Sequence, residues 1–252
     1  MDDKELLKKR LTELAGKSYK CNCFTFTDFL GMSELAEFYE YEKELKFAHP
    51  EVYGGPEGFE RGVVRFGNPE ELGYEEPFPV AILICSPLQE KFADDLGHRD
   101  FLGALMNLGV ERSVIGDIIV SGKKAYIFCL ERIADYICEN ITSVKHTSVR
   151  IERAGEDELP KTQNDSSAEK RIQVQSERLD AVIAKVMNIS RSSATEYFRQ
   201  QKVFVNGRIT ENTSYMLKND DAVTVRGFGR FKFAGIEGTS RKGRLNVIIR
   251  SF

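Results

Sequence analysis

From Ser176 the chain reads "SERLDAVIAKVM", with apolar residues at 179, 182, 183 and 186. That i, i+3, i+4, i+7 spacing predicts a helix with one apolar face, capped by Ser176. "NIS" interrupts the pattern. A second helix is predicted from Ser190, with Ala194, Tyr197 and Phe198 on its inner face. "KVFVNGRIT" alternates as a short strand and runs into Asn206-Gly207, a strong signal for a two-residue hairpin turn. "DAVTVRG" is a further strand, and "GRFKFAGIEG" and "RLNVIIRSF" are predicted to pair across the turn "GTSRKG". Two helices followed by a small sheet make a compact α+β module.

The first half has a different rhythm. "KELLKKRLTELA" and "SELAEFYEYEKELKFA" have helical period, "FPVAILICSP" reads as a buried strand, and "RDFLGALMNLG" as another helix. "GDIIVSGKKAYIFCL" predicts two strands around Ser121-Gly122, followed by a helix over "RIADYICENI" and a closing strand over "TSVRIER". The expectation is a second α+β unit, helices on a mixed sheet. Gly103, Gly109 and Gly116 are read as allowing close packing or turns.

Charge divides the chain in the same place. Residues 171–252 hold 15 Lys/Arg and 7 Asp/Glu, a net of +8, whereas residues 1–170 hold 21 and 32, a net of −11. Between the two patterns lies "AGEDELPKTQNDSSAEK", Ala154 to Lys170, polar and without hydrophobic period. The domains expected are therefore an acidic one over 1–153, a linker over 154–170 and a basic one over 171–252. A +8 excess in so small a module favours an anionic partner over a merely solvated surface, and nucleic acid is the usual one.

Other chemistry is sparse. The longest apolar run, Val80 to Cys85, is strand-length and far short of a membrane span, and the charged amphipathic start lacks a signal-peptide core. A cytoplasmic protein with no membrane partner is expected. Five cysteines, odd in number and irregularly spaced, read as free thiols, three of them inside apolar runs. Cys21 and Cys23 have no second pair or histidine cluster at zinc-site spacing, so neither metal nor other cofactor is expected.

The residues "RLDAVIAKVMNISRSSATEYFRQQKVFVNG" resemble the S-four RNA-binding domain, named for the fourth protein of the small ribosomal subunit. The resemblance rests on R-L-D at the first helix, S-R opening the second, and the V-x-V-N-G strand and turn. Two positions depart from that pattern. Gln201 stands where glycine is common before the strand, and Asp220-Asp221 replace the usual G-D before the next one. The tail "VRGFGRFKFAGIEGTSRKGRLNVIIRSF" and the earlier "HRDFLGALMNLGVERSVIGDIIV" resemble the YlmH group of bacterial proteins, with "VYGGPEGFERGVVRFGN" a looser match. The resemblance implies ribosome binding, on large subunits blocked by peptidyl-tRNA, in rescue and quality control of stalled translation. It also implies partners: structured rRNA, tRNA on the large subunit, and a ribosomal protein or rescue factor for residues 1–153. A monomer is expected.

Within that frame the RNA-binding candidates can be named. Ser190, Arg191 and Ser192 stand at a helix start, where free N–H groups and the dipole favour a phosphate. Arg191 itself opposes the dipole by roughly 0.3–1 kcal/mol, a cost recovered if a phosphate sits between it and the helix end. Arg199 and Lys202 extend the positive surface, Asn206 and Arg208 flank the hairpin turn, and Arg178 belongs to the RNA face by the S-four resemblance. The alternative for Arg178 is a structural pairing with Asp180 or Glu177. Arg226, Arg230, Lys232, Arg241, Lys242 and Arg244 form a second basic cluster, either solubilising charge or a second RNA contact. Tyr197, Phe198 and Phe204 read as core, so structured RNA is favoured over single strands.

No catalytic residue is expected. "HRD" at 98–100 lacks the glycine loop, D-F-G and lysine strand of a kinase, and "RGFGRF" lacks the third glycine of a dinucleotide site. "RLD" also occurs in pseudouridine synthases, but here no enzyme domain surrounds it. The rival readings are an rRNA- or tRNA-modifying enzyme guided by its S-four module, and a cell-division-linked adaptor.

Overall fold

The near-continuous apolar run at residues 80–85 becomes the middle strand of a sheet, which explains why its period is lost: both faces are covered. The computed structural model describes residues 3–55, 59–160, 169–240 and 243–251. The chain divides into two compact units, 1–160 and 161–252.

The first unit begins with α1 (Asp3–Cys21), β1 (Thr25–Phe26), α2 (Met32–Leu45), β2 (Glu51–Tyr53), β3 (Val63–Phe66) and α3 (Pro69–Leu72). The three strands form a small sheet in the order β1-β3-β2, against which α1 and α2 bury Leu11, Ala15, Leu35 and Phe38. This sheet has no clear sequence signature, since its strands are two to four residues long. Next come β4 (Val80–Pro87), α4 (His98–Asn107), β5 (Ile115–Ser121), β6 (Lys124–Leu130), α5 (Glu131–Asn140), β7 (Ser143–Val144) and β8 (Thr147–Ala154). Their sheet order is β5-β6-β4-β8-β7. Phe101 and Leu105 of α4 and Ala134 and Ile137 of α5 share a core with Leu83, Ile127 and Phe128.

Every strand pairing among the described residues of this unit is antiparallel, so the expectation of a mixed sheet is corrected. The reason is local: β5 and β6 turn back directly on each other, and β4 lies antiparallel between β6 and β8. Gly116 is a packing glycine, because a Cβ there would lie 2.6 Å from the Phe29 ring, and Gly109 is a turn glycine at φ 76°. Gly103 faces open space and does neither.

The second unit contains β9 (Glu169–Val174), α6 (Leu179–Met187), α7 (Arg191–Arg199), β10 (Val203–Val205), β11 (Arg208–Ile209), β12 (Ala222–Val225), β13 (Gly229–Thr239) and β14 (Leu245–Ser251). One antiparallel sheet runs in the order β11-β10-β12-β13-β14-β9. Leu179, Val182 and Ile183 of α6 and Ala194 and Phe198 of α7 pack on Val203, Val205, Val223, Val225, Phe231 and Phe233. The helical apolar spacing and the period-2 strand spacing thus meet in one core.

Two expectations need adjustment. The polar stretch 154–170 is shorter as a linker than its composition implies: Ala154 closes β8, and Glu169 and Lys170 open β9, which pairs with β14. Residues 161–168 lie outside the described ones. The first helix is also not capped by Ser176. Arg178 is the residue at the cap position, and the Leu179 and Asp180 amides donate instead to the carbonyls of Tyr215 (2.8 Å) and Thr213 (3.2 Å). Tertiary backbone satisfies what a side chain was expected to satisfy.

Candidate nucleic-acid interface

The start of α7 is built as its sequence predicts. Ser190 is extended at the cap position, and its Oγ accepts the Ser193 amide at 3.0 Å. The same oxygen lies 2.8 Å from the hydroxyls of both Ser192 and Ser193. Helix geometry leaves the Arg191 and Ser192 amides without intrahelical acceptors, at an exposed surface.

Arg191 is handled differently from the expectation. Its Nη2 donates to Asp180 Oδ2 at 2.6 Å. Arg178 donates to the same carboxylate through Nε (3.1 Å) and Nη2 (3.2 Å), so two arginines from two helix starts converge on one acid. A carboxylate of the protein therefore offsets the unfavourable position of Arg191 in the helix field. Asp180 is 5% exposed, whereas the Arg178 and Arg191 side chains are 37% and 51% exposed. Burial by itself would push the Asp180 carboxyl up. The two arginine hydrogen bonds and charges outweigh it and hold the group below the ordinary carboxylate value. Arg178 is thus structurally paired, and the pairing anchors its guanidinium while leaving other N–H groups of that guanidinium over. The sequence offered Asp180 as an alternative partner of Arg178 but not of Arg191; the signal was its position two residues after one arginine and eleven before the other.

The remaining candidates separate by location. Arg199 is exposed at the end of α7 with Glu196 3.6 Å away, and Lys202 follows it. Arg208 is exposed on the edge strand β11. Arg230 and Lys232 alternate along β13 with the core residues Phe231 and Phe233, so they lie on the sheet face opposite the helices. The basic residues do not form one patch. Lys232 is also committed to Asp220 at 3.2 Å and only 19% exposed. Arg226 stands over the Phe204 ring, 6.0 Å from its centre. The backbone of Arg244 closes the far hairpin through its amide to Ser240 Oγ (3.1 Å), whereas Arg241 and Lys242 lie outside the described residues.

Asn206 is tied to the module: its Nδ2 donates to Asp221 Oδ1 at 2.7 Å and its Oδ1 accepts the Ala222 amide at 2.8 Å. Asp221, 5% exposed, also accepts the Lys218 amide (2.8 Å) and the Tyr215 hydroxyl (3.1 Å). Burial, with the charge and hydrogen bond of Asp221, raises the Tyr215 hydroxyl above its usual value. The two departures from the S-four pattern fall on strained backbone: Gln201 and Asp220 have φ of 52° and 71°. Those are left-handed values that glycine adopts without cost. Phe198 and Phe204 are each 1% exposed, as a core role requires.

This two-helix layer on an antiparallel sheet, with cations at the helix starts, matches the family described as "S4 domain" over residues 177–223. Residues 75–158 match a second family, "Putative RNA-binding domain in YlmH". Over these two stretches, 75–158 and 177–223, the chain is similar first to the YlmH-type and then to the S-four family. Among curated proteins it is 31% identical over 161 residues to "Ribosome-associated protein quality control protein P2" of Bacillus subtilis (strain 168). That match covers 63% of this chain and 61% of the relative, so somewhat under two thirds of the relative's length is represented. Among solved structures, "Cell division protein ylmH from Streptococcus pneumoniae" aligns with 63% of this chain and 95% of its own, at 18% identity and a TM-score of 0.47. That likeness is too distant to support a functional argument. Among the described residues no helix is long and apolar enough to cross a membrane.

Proposed function

We propose that this protein is a non-enzymatic factor that binds structured RNA on the large ribosomal subunit, in rescue or quality control of stalled translation. The carrying observation is the fork of Arg178 and Arg191 on Asp180 beside the α7 start. Two half-exposed guanidinium groups, the Ser192 hydroxyl and two helix-start amides present donors for phosphate oxygens along one edge. Duplex RNA offers its phosphates, 2′-hydroxyls and shape, and a clamp held in advance suits that recognition. The name of the Bacillus subtilis relative, a ribosome-associated quality control protein, supports the ribosomal setting. In this reading the S-four unit grips rRNA together with tRNA held on the subunit. The YlmH-type domain docks on a ribosomal protein or a rescue factor.

Sucrose-gradient sedimentation of the protein with lysate, at low and raised salt, tests the reading. Association with large subunits is expected, weakening as salt rises because phosphate contacts release counterions. Arg191→Ala should reduce the association and lower the slope of log affinity against log salt by about 0.7–0.9. Absence from ribosomal fractions at low salt refutes the proposal. Unchanged affinity of the Arg191 variant refutes the fork as the contact.

A further inference from the structure

The hairpin joining β12 to β13 turns through Arg226-Gly227-Phe228, with Val225 paired to Gly229 and the Phe228 amide donating to the Val225 carbonyl at 3.0 Å. Phe228 is 49% exposed and belongs to no core cluster, while the next phenylalanines on the strand, Phe231 and Phe233, are 1% exposed. Gly227 and Gly229 have φ of 87° and 143° and open space where a Cβ would lie, so backbone conformation requires them and crowding does not. The glycines shape the tip; the phenylalanine between them is half-exposed and joins none of the core clusters of the described residues. Sequence inspection dismissed "RGFGRF" as a dinucleotide site and left this aromatic without a role.

We propose that Phe228 is a base-stacking residue that receives an unpaired base of the bound RNA, flanked by cations for the neighbouring phosphates. The inference rests on the RNA-binding reading of the S-four unit. Arg226 and Arg230 stand two positions to either side of Phe228, and no acidic residue lies between them. The Arg226 amide donates to the Lys202 carbonyl at 2.9 Å, which ties the tip to the basic segment at the end of α7. An aromatic face set among cations is the composition that single-stranded nucleic acid needs: a π surface for the base and positive charge for the backbone. The charge selects an anionic partner over an apolar protein surface, and the ring selects an unpaired base over a duplex, whose base faces are already stacked. The α7 helix is nine residues long and spans about 13 Å, so fork and tip contact different nucleotides. Residues beyond 223 lie outside the matched S-four segment.

Footprinting of wild-type, Phe228→Ala, Phe228→Trp and Arg191→Ala proteins on purified large ribosomal subunits tests this. Hydroxyl radicals read the backbone, and dimethyl sulfate with a carbodiimide reads unpaired bases. Wild type should protect one or a few unpaired bases. Phe228→Ala should lose that protection and bind roughly 5- to 100-fold more weakly while keeping the backbone footprint at saturating protein, and Phe228→Trp should restore both. Base protection and affinity unchanged in Phe228→Ala overturn the proposal, as does a wild-type footprint confined to the backbone. No rRNA footprint with wild type overturns the RNA-binding reading and this inference together. Base protection lost in Phe228→Ala, with affinity and backbone footprint unchanged in Arg191→Ala, leaves stacking in place and removes the fork instead.

Discussion

Replacing Asp180 by asparagine separates preorganisation from simple charge. The substitution keeps the side chain's shape but removes the anion that accepts three hydrogen bonds from Arg178 and Arg191. It makes the S-four unit one charge more positive. Screening alone then predicts tighter RNA binding: removing a negative charge about 7 Å from a phosphate gains about 0.6 kcal/mol at the dielectric of water. Preorganisation predicts the opposite. Two long side chains lose their anchor, and each costs about 0.5–1.5 kcal/mol to immobilise again on binding. That loss is the larger, so affinity for large subunits should fall about 2- to 60-fold, measured by sedimentation at fixed salt. Stability should fall as well, by about 1–3 kcal/mol. The arginines are exposed enough to rehydrate, which keeps the cost below that of stranding a buried charge. Because the folded Asp180 titrates below its unfolded value, near 3.9, its contribution is fully present above that pH. It disappears as pH falls through the depressed folded value. The stability difference between wild type and Asp180→Asn should therefore shrink on acidification. An RNA affinity equal to or tighter than wild type would refute the preorganised fork.

Two further outcomes follow from local structure. Gln201 holds φ of 52°, so Gln201→Gly should stabilise the protein by about 0.5–1 kcal/mol despite losing its hydrogen bond to Glu211, read as a raised melting midpoint. A lowered midpoint would show that the side chain outweighs the backbone. Burial pushes the Cys85 thiol up to about 12, and burial followed by nearby acidic groups does the same for Cys129, whereas Cys21 is exposed. A thiol-reactive dye at neutral pH should label Cys21 in the native protein and Cys85 and Cys129 only on unfolding; rapid native labelling of Cys85 would contradict the packed sheet.

Much of the S-four unit was legible because its signals are local. The i, i+3, i+4 spacing at 179–186, the Ser190 cap and the Asn206-Gly207 turn each depend on a few neighbouring residues and recur in the structure as read. The β9 strand was not legible, since its partner β14 lies more than seventy residues away and a polar approach hid its start. The three-stranded sheet of the first unit was missed for a similar reason: strands of two to four residues carry almost no periodicity.

The sequence by itself determined which residues are basic, that two helices are followed by a hairpin sheet, and that the chain divides by charge. It could not say which charges meet. Arg178, Asp180 and Arg191 become one cluster only when α6 and α7 pack on the same sheet, and Arg230 and Lys232 fall on the opposite face because strand side chains alternate about the core. Asn206, at the hairpin turn, holds Asp221 fifteen positions later through its side-chain amide. Local pattern follows from neighbouring residues, but electrostatic partnership depends on distances set by packing, and those only the tertiary structure decided.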